Sequence, residues 1–355
     1  MIKEFMIKNF KCFGEIAIKP LERVNLIAGA NGIVKTALLE AMFLHEGAHN
    51  AGLALNIERF RGIASFNNTD FMKDLFTRFK SQEEILLKAT YEDKKHLTLK
   101  VIQEESTKPK PVDTENTAEL QGTTTISPRL IFEGRDNGAV LCRSELFLGI
   151  DRQGLLRAFS SLAKQQLRPP AIFVSTGLSK QEKNKSIADN FSIQVGIKRK
   201  KKIIDSLRLI DNRLQDLELS KMGNENFISG DIGYNKMIPL SLMGAGVERY
   251  LEFVLSILAA ENGTILIDEI ENGFHHSIHD KIWSNLASLA RELSVQIIAT
   301  THSYECIEAA HKSFKQDKKY DFILHRLDKA GDRIEDVTYD KDTLEAALTS
   351  NMEIR

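Results

Sequence analysis

Gly29-Ala30-Asn31-Gly32-Ile33-Val34-Lys35-Thr36 decides how this chain is read. The stretch meets the pattern G-x-x-x-x-G-K-[ST] at Gly29, Lys35 and Thr36, but Val34 stands where the second glycine belongs. A loop of this kind turns its backbone N–H groups inward onto phosphates. Gly29, Ala30, Asn31, Gly32, Ile33, Val34 and Ala37 are therefore expected along the phosphate chain, with Lys35 neutralising β/γ charge and the Thr36 hydroxyl ligating Mg²⁺. The flanks agree. Val24-Asn25-Leu26-Ile27-Ala28 reads as a buried strand, and Thr36-Ala37-Leu38-Leu39-Glu40-Ala41 opens a helix whose N-terminus adds about half a positive charge. Valine is β-branched and avoids positive φ. At position 34 it is expected to cost on the order of 1–3 kcal/mol of strain or to push the phosphates outward, impairing ATP binding or turnover.

A second set of signals lies in the C-terminal half. Thr264-Ile265-Leu266-Ile267 is an apolar run ending in Asp268-Glu269, and Val295-Gln296-Ile297-Ile298-Ala299-Thr300 is another, ending in Thr301-His302-Ser303. A helix from Ser277 to Leu293 between them makes a βαβ unit, with both strand ends at one edge of a parallel sheet. Neighbouring side chains on a strand point opposite ways, so the two carboxylates are assigned different work. Asp268 would join Thr36 on Mg²⁺, and Glu269 would orient and partly deprotonate the attacking water. His302, at the same edge, could donate to a γ-phosphate or to that water. His275, His276 and His279 are read as residues at a helix start near the nucleotide, not as zinc ligands.

Leu240-Ser241-Leu242-Met243-Gly244-Ala245-Gly246-Val247-Glu248-Arg249 precedes an apolar helix, Tyr250 to Ala260, and offers a second anion-ready terminus at Ser241, Gly244 and Gly246. One nucleotide does not need two such loops on one subunit. Two subunits facing head to tail do, so a homodimer or higher homo-oligomer is expected.

Composition limits the alternatives. The 355 residues, 42% hydrophobic and 27% charged, suit one or two globular domains. Lys plus Arg (48) balances Asp plus Glu (49), so net charge does not announce a nucleic-acid binder. Cys12, Cys142 and Cys306 lack metal spacing, no apolar run approaches membrane length, and Met1-Ile2-Lys3-Glu4-Phe5 lacks a signal-peptide core; the expectation is a soluble cytoplasmic protein without membrane association. Ile85–Tyr91 and His96–Val101 read as a hairpin, and the Glu/Ser/Thr/Pro-rich stretch from Glu104 to Thr125 as a mobile surface loop. Ile203, Leu207, Ile210, Leu214 and Leu217 fall at four- and three-residue spacings and predict a helix over 203–219. Before it, Lys198-Arg199-Lys200-Lys201-Lys202 is either a solvated face or a DNA-backbone contact.

The ordered set of motifs resembles the ABC-type ATPases related to chromosome-maintenance and recombination proteins. More closely it resembles the ATPase module of the overcoming-lysogenization-defect (OLD) family and similar bacterial anti-phage ATPases. The resembling residues are Asn9-Phe10-Lys11, Gly29 to Thr36, Leu240 to Arg249, Ile267-Asp268-Glu269-Ile270-Glu271-Asn272-Gly273-Phe274-His275-His276 and Thr300-Thr301-His302-Ser303. The resemblance implies an α/β P-loop head with a mixed, largely parallel sheet core, N-terminal antiparallel strands and an inserted helical lobe. Its parts would be 1–102 (phosphate loop), 103–235 (the lobe) and 236–355 (signature, Walker B and histidine switch). It also implies ATP and Mg²⁺ as cofactors, Lys11 at the nucleotide, and Ser241, Gly244 and Gly246 as the signature. Three departures stand out: Val34, the loosened signature, and a Q-loop glutamine with no assigned position. OLD nucleases carry a Toprim domain after the ATPase, and the 53 residues beyond His302 are too few for one. Any nuclease is then expected on a separate effector subunit. Three functions compete: an ATPase controlling an effector in phage defence, a RecF-like repair ATPase binding DNA directly, and a nucleotide-binding scaffold with little turnover.

Overall fold

In the computed structural model, residues 1–29, 34–63, 70–105, 124–150, 156–163, 166, 168–169, 171–222, 225–350 and 352–355 are described. The chain opens with a hairpin, β1 (Ile2–Phe10) and β2 (Phe13–Ile18), followed by the fully buried β3 (Val24–Gly29) and helix α1 (Val34–Glu46). Short helices α2 (Leu53–Phe60) and α3 (Asp70–Lys73) and a 3-10 turn at Thr77–Phe79 lead to β4 (Ile85–Tyr91), β5 (His96–Glu104), β6 (Thr124–Asp136), β7 (Ala139–Ile150) and β8 (Leu156–Ser160). Next come β9 (Ile172–Val174), α4 (Lys180–Gly196), α5 (Lys200–Leu207), β10 (Asp216–Met222), β11 (Glu225–Asp231) and β12 (Ile238–Pro239). The head closes with α6 (Leu240–Met243), α7 (Ala245–Ala259), β13 (Thr264–Ile267), α8 (His279–Glu292), β14 (Gln296–Thr300), α9 (Tyr304–Gln316), β15 (Phe322–Ala330), β16 (Arg333–Tyr339) and α10 (Lys341–Thr349).

Two large sheets carry the architecture. One is antiparallel, ordered β2-β1-β4-β5-β6-β7-β8; the other runs β16-β15-β3-β14-β13-β9, with parallel pairing from β15 to β9. Every residue of β3, β13 and β14 is buried, as a parallel strand covered on both faces requires. Successive side chains serve two cores. Val24, Leu26, Ile265, Ile267, Ile297 and Ala299 join the cluster of Tyr250, Phe253, Trp283 and Phe314 from the helices; Ile27, Leu266 and Ile298 join α1 and the antiparallel sheet. Because α1 is sandwiched between the two sheets, it is buried nearly all round, which explains its weak amphipathic pattern.

Several expectations change. The helix foreseen over 203–219 ends at Leu207; an Asp211-Asn212-Arg213 turn follows, with Asp211 Oδ1 accepting the Arg213 N–H at 3.1 Å, and β10 takes Asp216 onward. Asp and Asn compete for backbone hydrogen bonds and break the helix. Leu207, Leu214 and Leu217 are all buried, but from a helix, a turn and a strand in succession. The helix foreseen from Tyr250 starts at Ala245. The span 103–235 is shared among units: β6–β8 extend the antiparallel sheet, β9 joins the parallel one, and α4, α5 and β10–β12 form a smaller layer over α7. The 85–101 hairpin is present as β4–β5, while most of the 104–125 loop, residues 106–123, lies outside the described residues. No helix among the described residues is long and apolar enough to cross a membrane.

Candidate functional site

The carboxyl ends of β3, β14, β13 and β9 lie side by side at one edge of the parallel sheet. β3 ends at Gly29, where φ is +129° and an added Cβ would lie 2.4 Å from the Leu327 carbonyl oxygen of β15. Only glycine fits there. Ala30, Asn31, Gly32 and Ile33 fall outside the described residues. The chain is described again from Val34, the first residue of α1, whose half-buried side chain packs on the N-terminal core.

Lys35 is 2% exposed, with Nζ donating to the Gly29 carbonyl at 2.8 Å and lying 3.3 Å from His302 Nδ1. Burial lowers its pKa, and the charges of Asp268, Glu271 and Glu269 oppose that shift. With Lys35 charged, its ammonium can only donate, so the contact then requires Nδ1 as acceptor and places the imidazole proton on Nε2.

Asp268 follows β13, its N–H anchored on the Val174 carbonyl of β9 at 3.0 Å. Its carboxylate accepts from Thr36 Oγ1 at 3.1 and 3.2 Å and from Thr300 Oγ1 at 2.7 Å. Burial raises its pKa, with the Thr300 and Thr36 hydroxyls pulling the other way. A buried carboxylate beside a threonine hydroxyl is a hard-oxygen donor pair suited to Mg²⁺, which would draw its other ligands from phosphate oxygens and water. No group of three or more His, Cys, Asp or Glu poised for a metal occurs among the described residues.

Glu269 departs from the strand argument. β13 stops at Ile267, and Glu269 adopts φ 51°, so a left-handed turn rather than strand alternation separates it from Asp268. Its N–H donates to Thr300 Oγ1 at 2.8 Å, and its carboxylate accepts from the Asn272 amide. Thr300 thus holds both carboxylate residues, a role that sequence reading missed although the residue sat inside a quoted motif.

Lys11 is paired on α1: its Nζ lies 2.8 Å from Glu40 and 3.7 Å from Glu58, and Arg61 holds the fully buried Glu40 through two contacts of 2.8 Å. These cations neutralise a buried carboxylate whose charge also reaches Asp268. Ala37 contributes its methyl to the core.

Ser241, Gly244 and Gly246 stand apart. Gly244, at φ 124°, separates α6 from α7, and Gly246 packs so closely on Gly273 that a Cβ would lie 2.9 Å from its carbonyl oxygen. Gly244 and Gly246 line a cleft of about 570 Å³ with Arg208, Arg213 and Lys281, while Ser241 and Leu242 are exposed. The link to the Walker edge is Arg249, one turn along α7, whose Nη2 donates to the Asp268 carbonyl at 3.1 Å. Sequence reading gave Arg249 no role, and only its distance from the glycines hinted at one. The basic run is largely paired within the chain: Arg199 with Glu261, Lys200 with Asp216 and Lys202 with Glu292, while Lys198 and Lys201 are exposed. His275 caps the turn before α8 through Ser277, and His276 stacks on it at 4.1 Å.

Three comparisons bear on this site. The AAA ATPase domain family matches residues 153–307, a span that includes Ser241 through His302 but not the phosphate loop. The chain is 26% identical over 334 residues to an ATP/GTP phosphatase of Helicobacter pylori, covering 87% of each chain. It is 34% identical over 103 residues to an uncharacterized protein of Methanocaldococcus jannaschii, covering 28% of this chain and 47% of that one. Among solved structures it is similar to an SmcHead bound to the C-winged helix domain of ScpA, with a TM-score of 0.51, 14% identity, and 98% and 99% of the two chains covered. The fold is that of an SMC-head-like P-loop ATPase, and the relatives support an ATPase of the AAA/SMC-like type.

Proposed function

We propose that this chain is a Mg²⁺-dependent ATPase subunit that pairs with a second copy around ATP and passes its nucleotide state to a separate effector. The reading is carried by the convergence of Lys35, Thr36, Asp268, Glu269 and His302, delivered by β3–α1, β13 and β14 to one sheet edge. Lys35 neutralises β/γ charge, and Thr36 and Asp268 would hold Mg²⁺, which when bound would offset charge on the transferring phosphoryl group. Glu269 takes the proton of the attacking water, and His302 donates from Nε2 to the γ-phosphate. The exposed Ser241 segment completes the site of the second copy.

The order of motifs supports an OLD-like role in anti-phage defence, with a nuclease or Toprim-type effector. The similar SmcHead, bound to a winged-helix domain, supports a partner protein on this head too. The RecF-like alternative, direct DNA binding, loses its basic run to intramolecular ion pairs. The low-turnover scaffold alternative rests on Val34.

Glu269→Gln should retain ATP binding, slow hydrolysis by at least about a hundredfold and accumulate an ATP-bound dimer on size exclusion. Lys35→Ala should lose nucleotide binding. A Glu269→Gln rate equal to the parent's removes the base assignment. A parent protein that neither binds nor hydrolyses ATP or GTP removes the whole reading.

A further inference from the structure

Glu271 lies three residues beyond Asp268 and has no role in the chemistry above. One of its oxygens, Oε1, accepts the backbone N–H of His302 at 2.7 Å, tying the turn after β13 to the loop after β14. The other, Oε2, is buried without a hydrogen-bond partner. Facing the same interior is His279, the first residue of α8, 5% exposed and with both ring nitrogens buried and unpartnered. The charge of Glu271 reaches Lys35, His279 and Cys306, and together with burial it pushes the Cys306 thiol up to about 12. One N–H needs one neutral acceptor. A carboxylate with an orphaned oxygen is a costly way to supply it, because the buried oxygen gives up water and gains no donor. Such a cost is retained where a site depends on the contact.

We infer that Glu271 is a positioning residue for the phosphate-transfer step: by accepting the His302 N–H from the buried side, it sets the His302 backbone and so places the imidazole against Lys35 and the γ-phosphate. The geometry leaves little else for the contact to do. Ser303 already caps α9 by accepting the Cys306 N–H at 3.0 Å, and Thr301 Oγ1 accepts the Ser303 N–H at 3.1 Å, so the loop on the far side of His302 is fixed independently. Ile270 N–H on the Thr300 carbonyl, 3.0 Å, fixes the turn before Glu271. Among the described residues, the 271–302 contact bridges the two loops at the level of the imidazole.

This inference rests on the ATPase reading, and its test separates the two. Amide hydrogen exchange on a peptide covering 300–303, measured without nucleotide, should quicken in Glu271→Ala and stay near the parent's in Glu271→Gln, whose amide oxygen can still accept. With ATP, Glu271→Ala should lose about tenfold to a hundredfold in kcat with KM within about twofold, while Glu271→Gln stays within about threefold of the parent. Unchanged exchange in Glu271→Ala overturns the contact. Faster exchange with an unchanged kcat overturns its bearing on the reaction, and so does a loss shared equally by Glu271→Gln. If the parent lacks turnover, the ATPase reading fails, while the exchange arm still decides whether Glu271 holds His302.

Discussion

The start of α7 and the sheet edge beside it are built on opposite principles. At the sheet edge, Lys35, Thr36, Asp268, Thr300 and His302 are joined by contacts between 2.7 and 3.3 Å and are mostly buried. At the start of α7, Ser241 and Leu242 project into solvent, Leu242 at 74% exposure, around glycines chosen for backbone shape. The first region is held together within one chain. The second is an anion-ready helix terminus whose Ser241 and Leu242 are turned to solvent. That asymmetry supports a site assembled from two subunits, with Arg249 relaying between the regions inside each one.

Mixing two broken subunits attacks this contrast most directly. Ser241→Arg should abolish turnover, by about a hundredfold or more, while leaving nucleotide binding intact, because Ser241 is exposed and its side chain supports no core. Lys35→Ala should be equally inactive for the opposite reason. A mixed dimer carries one doubly damaged site and one intact site, so combining the inactive proteins should restore a sizeable fraction of parental activity. Steady-state ATPase assays across mixing ratios measure it. No recovery at any ratio means that each chain works alone and that the exposed segment has another purpose.

The legibility of the two regions in sequence differed for physical reasons. Strands buried on both faces announce themselves as apolar runs, so β3, β13 and β14 and the residues that follow them could be read directly. The stretch around 203–219 could not, because its buried leucines keep a helical spacing across a helix, a turn and a strand. Lys11 was assigned by resemblance alone, and its ion pair with Glu40, far from it in sequence, could not be read there. Thr300, Glu271 and Arg249 act through contacts with Asp268, Glu269 and His302 that exist only once the sheet brings 249, 268–271 and 300–302 together. The 175–177 turn after β9, beside Asp268, left a faint signal in Ile172-Phe173-Val174-Ser175-Thr176-Gly177, a short apolar run ended by turn formers.

A pH series sharpens the same comparison at smaller amplitude. Burial raises the Asp268 pKa, so the folded protein holds that proton more tightly than the unfolded chain does. Asp268 therefore contributes stability below the ordinary carboxylate pKa and loses it as pH rises through the raised folded value. Mg²⁺ needs the ionised form, so stabilisation by Mg·ATP should run the other way. At a hundredfold excess over Kd it is worth about 2.7 kcal/mol at neutral pH, and it should shrink as the pH falls toward that value. Thermal melts with and without Mg·ATP between neutral and mildly acidic pH follow it, with Asp268→Asn expected to flatten the dependence. A Mg·ATP increment independent of pH in the parent would detach Asp268 from the metal.

The smallest effect is expected at Val34. A valine forced to positive φ would cost on the order of 1–3 kcal/mol, and Val34 stands as the first residue of α1. The case for impairment also rests on bulk, a β-branched side chain immediately before Lys35. Against it stands the packing of that side chain on the N-terminal core. Val34→Gly should therefore do two opposed things. It should destabilise the fold by about 1 kcal/mol, through lost packing and a flexible residue at the helix start. It should also tighten ATP by at most about tenfold, since relief of crowding worth more than roughly 1.4 kcal/mol would need more than a methyl contact. Val34→Ala divides the causes, because it removes the branch but keeps the Cβ. If both variants bind ATP like the parent and melt lower, Val34 is a packing residue that the site tolerates. A gain of a hundredfold confined to Val34→Gly would instead show that the ATP-bound loop takes a backbone conformation only glycine allows, and that the helical start of α1 unwinds by one residue when phosphate arrives.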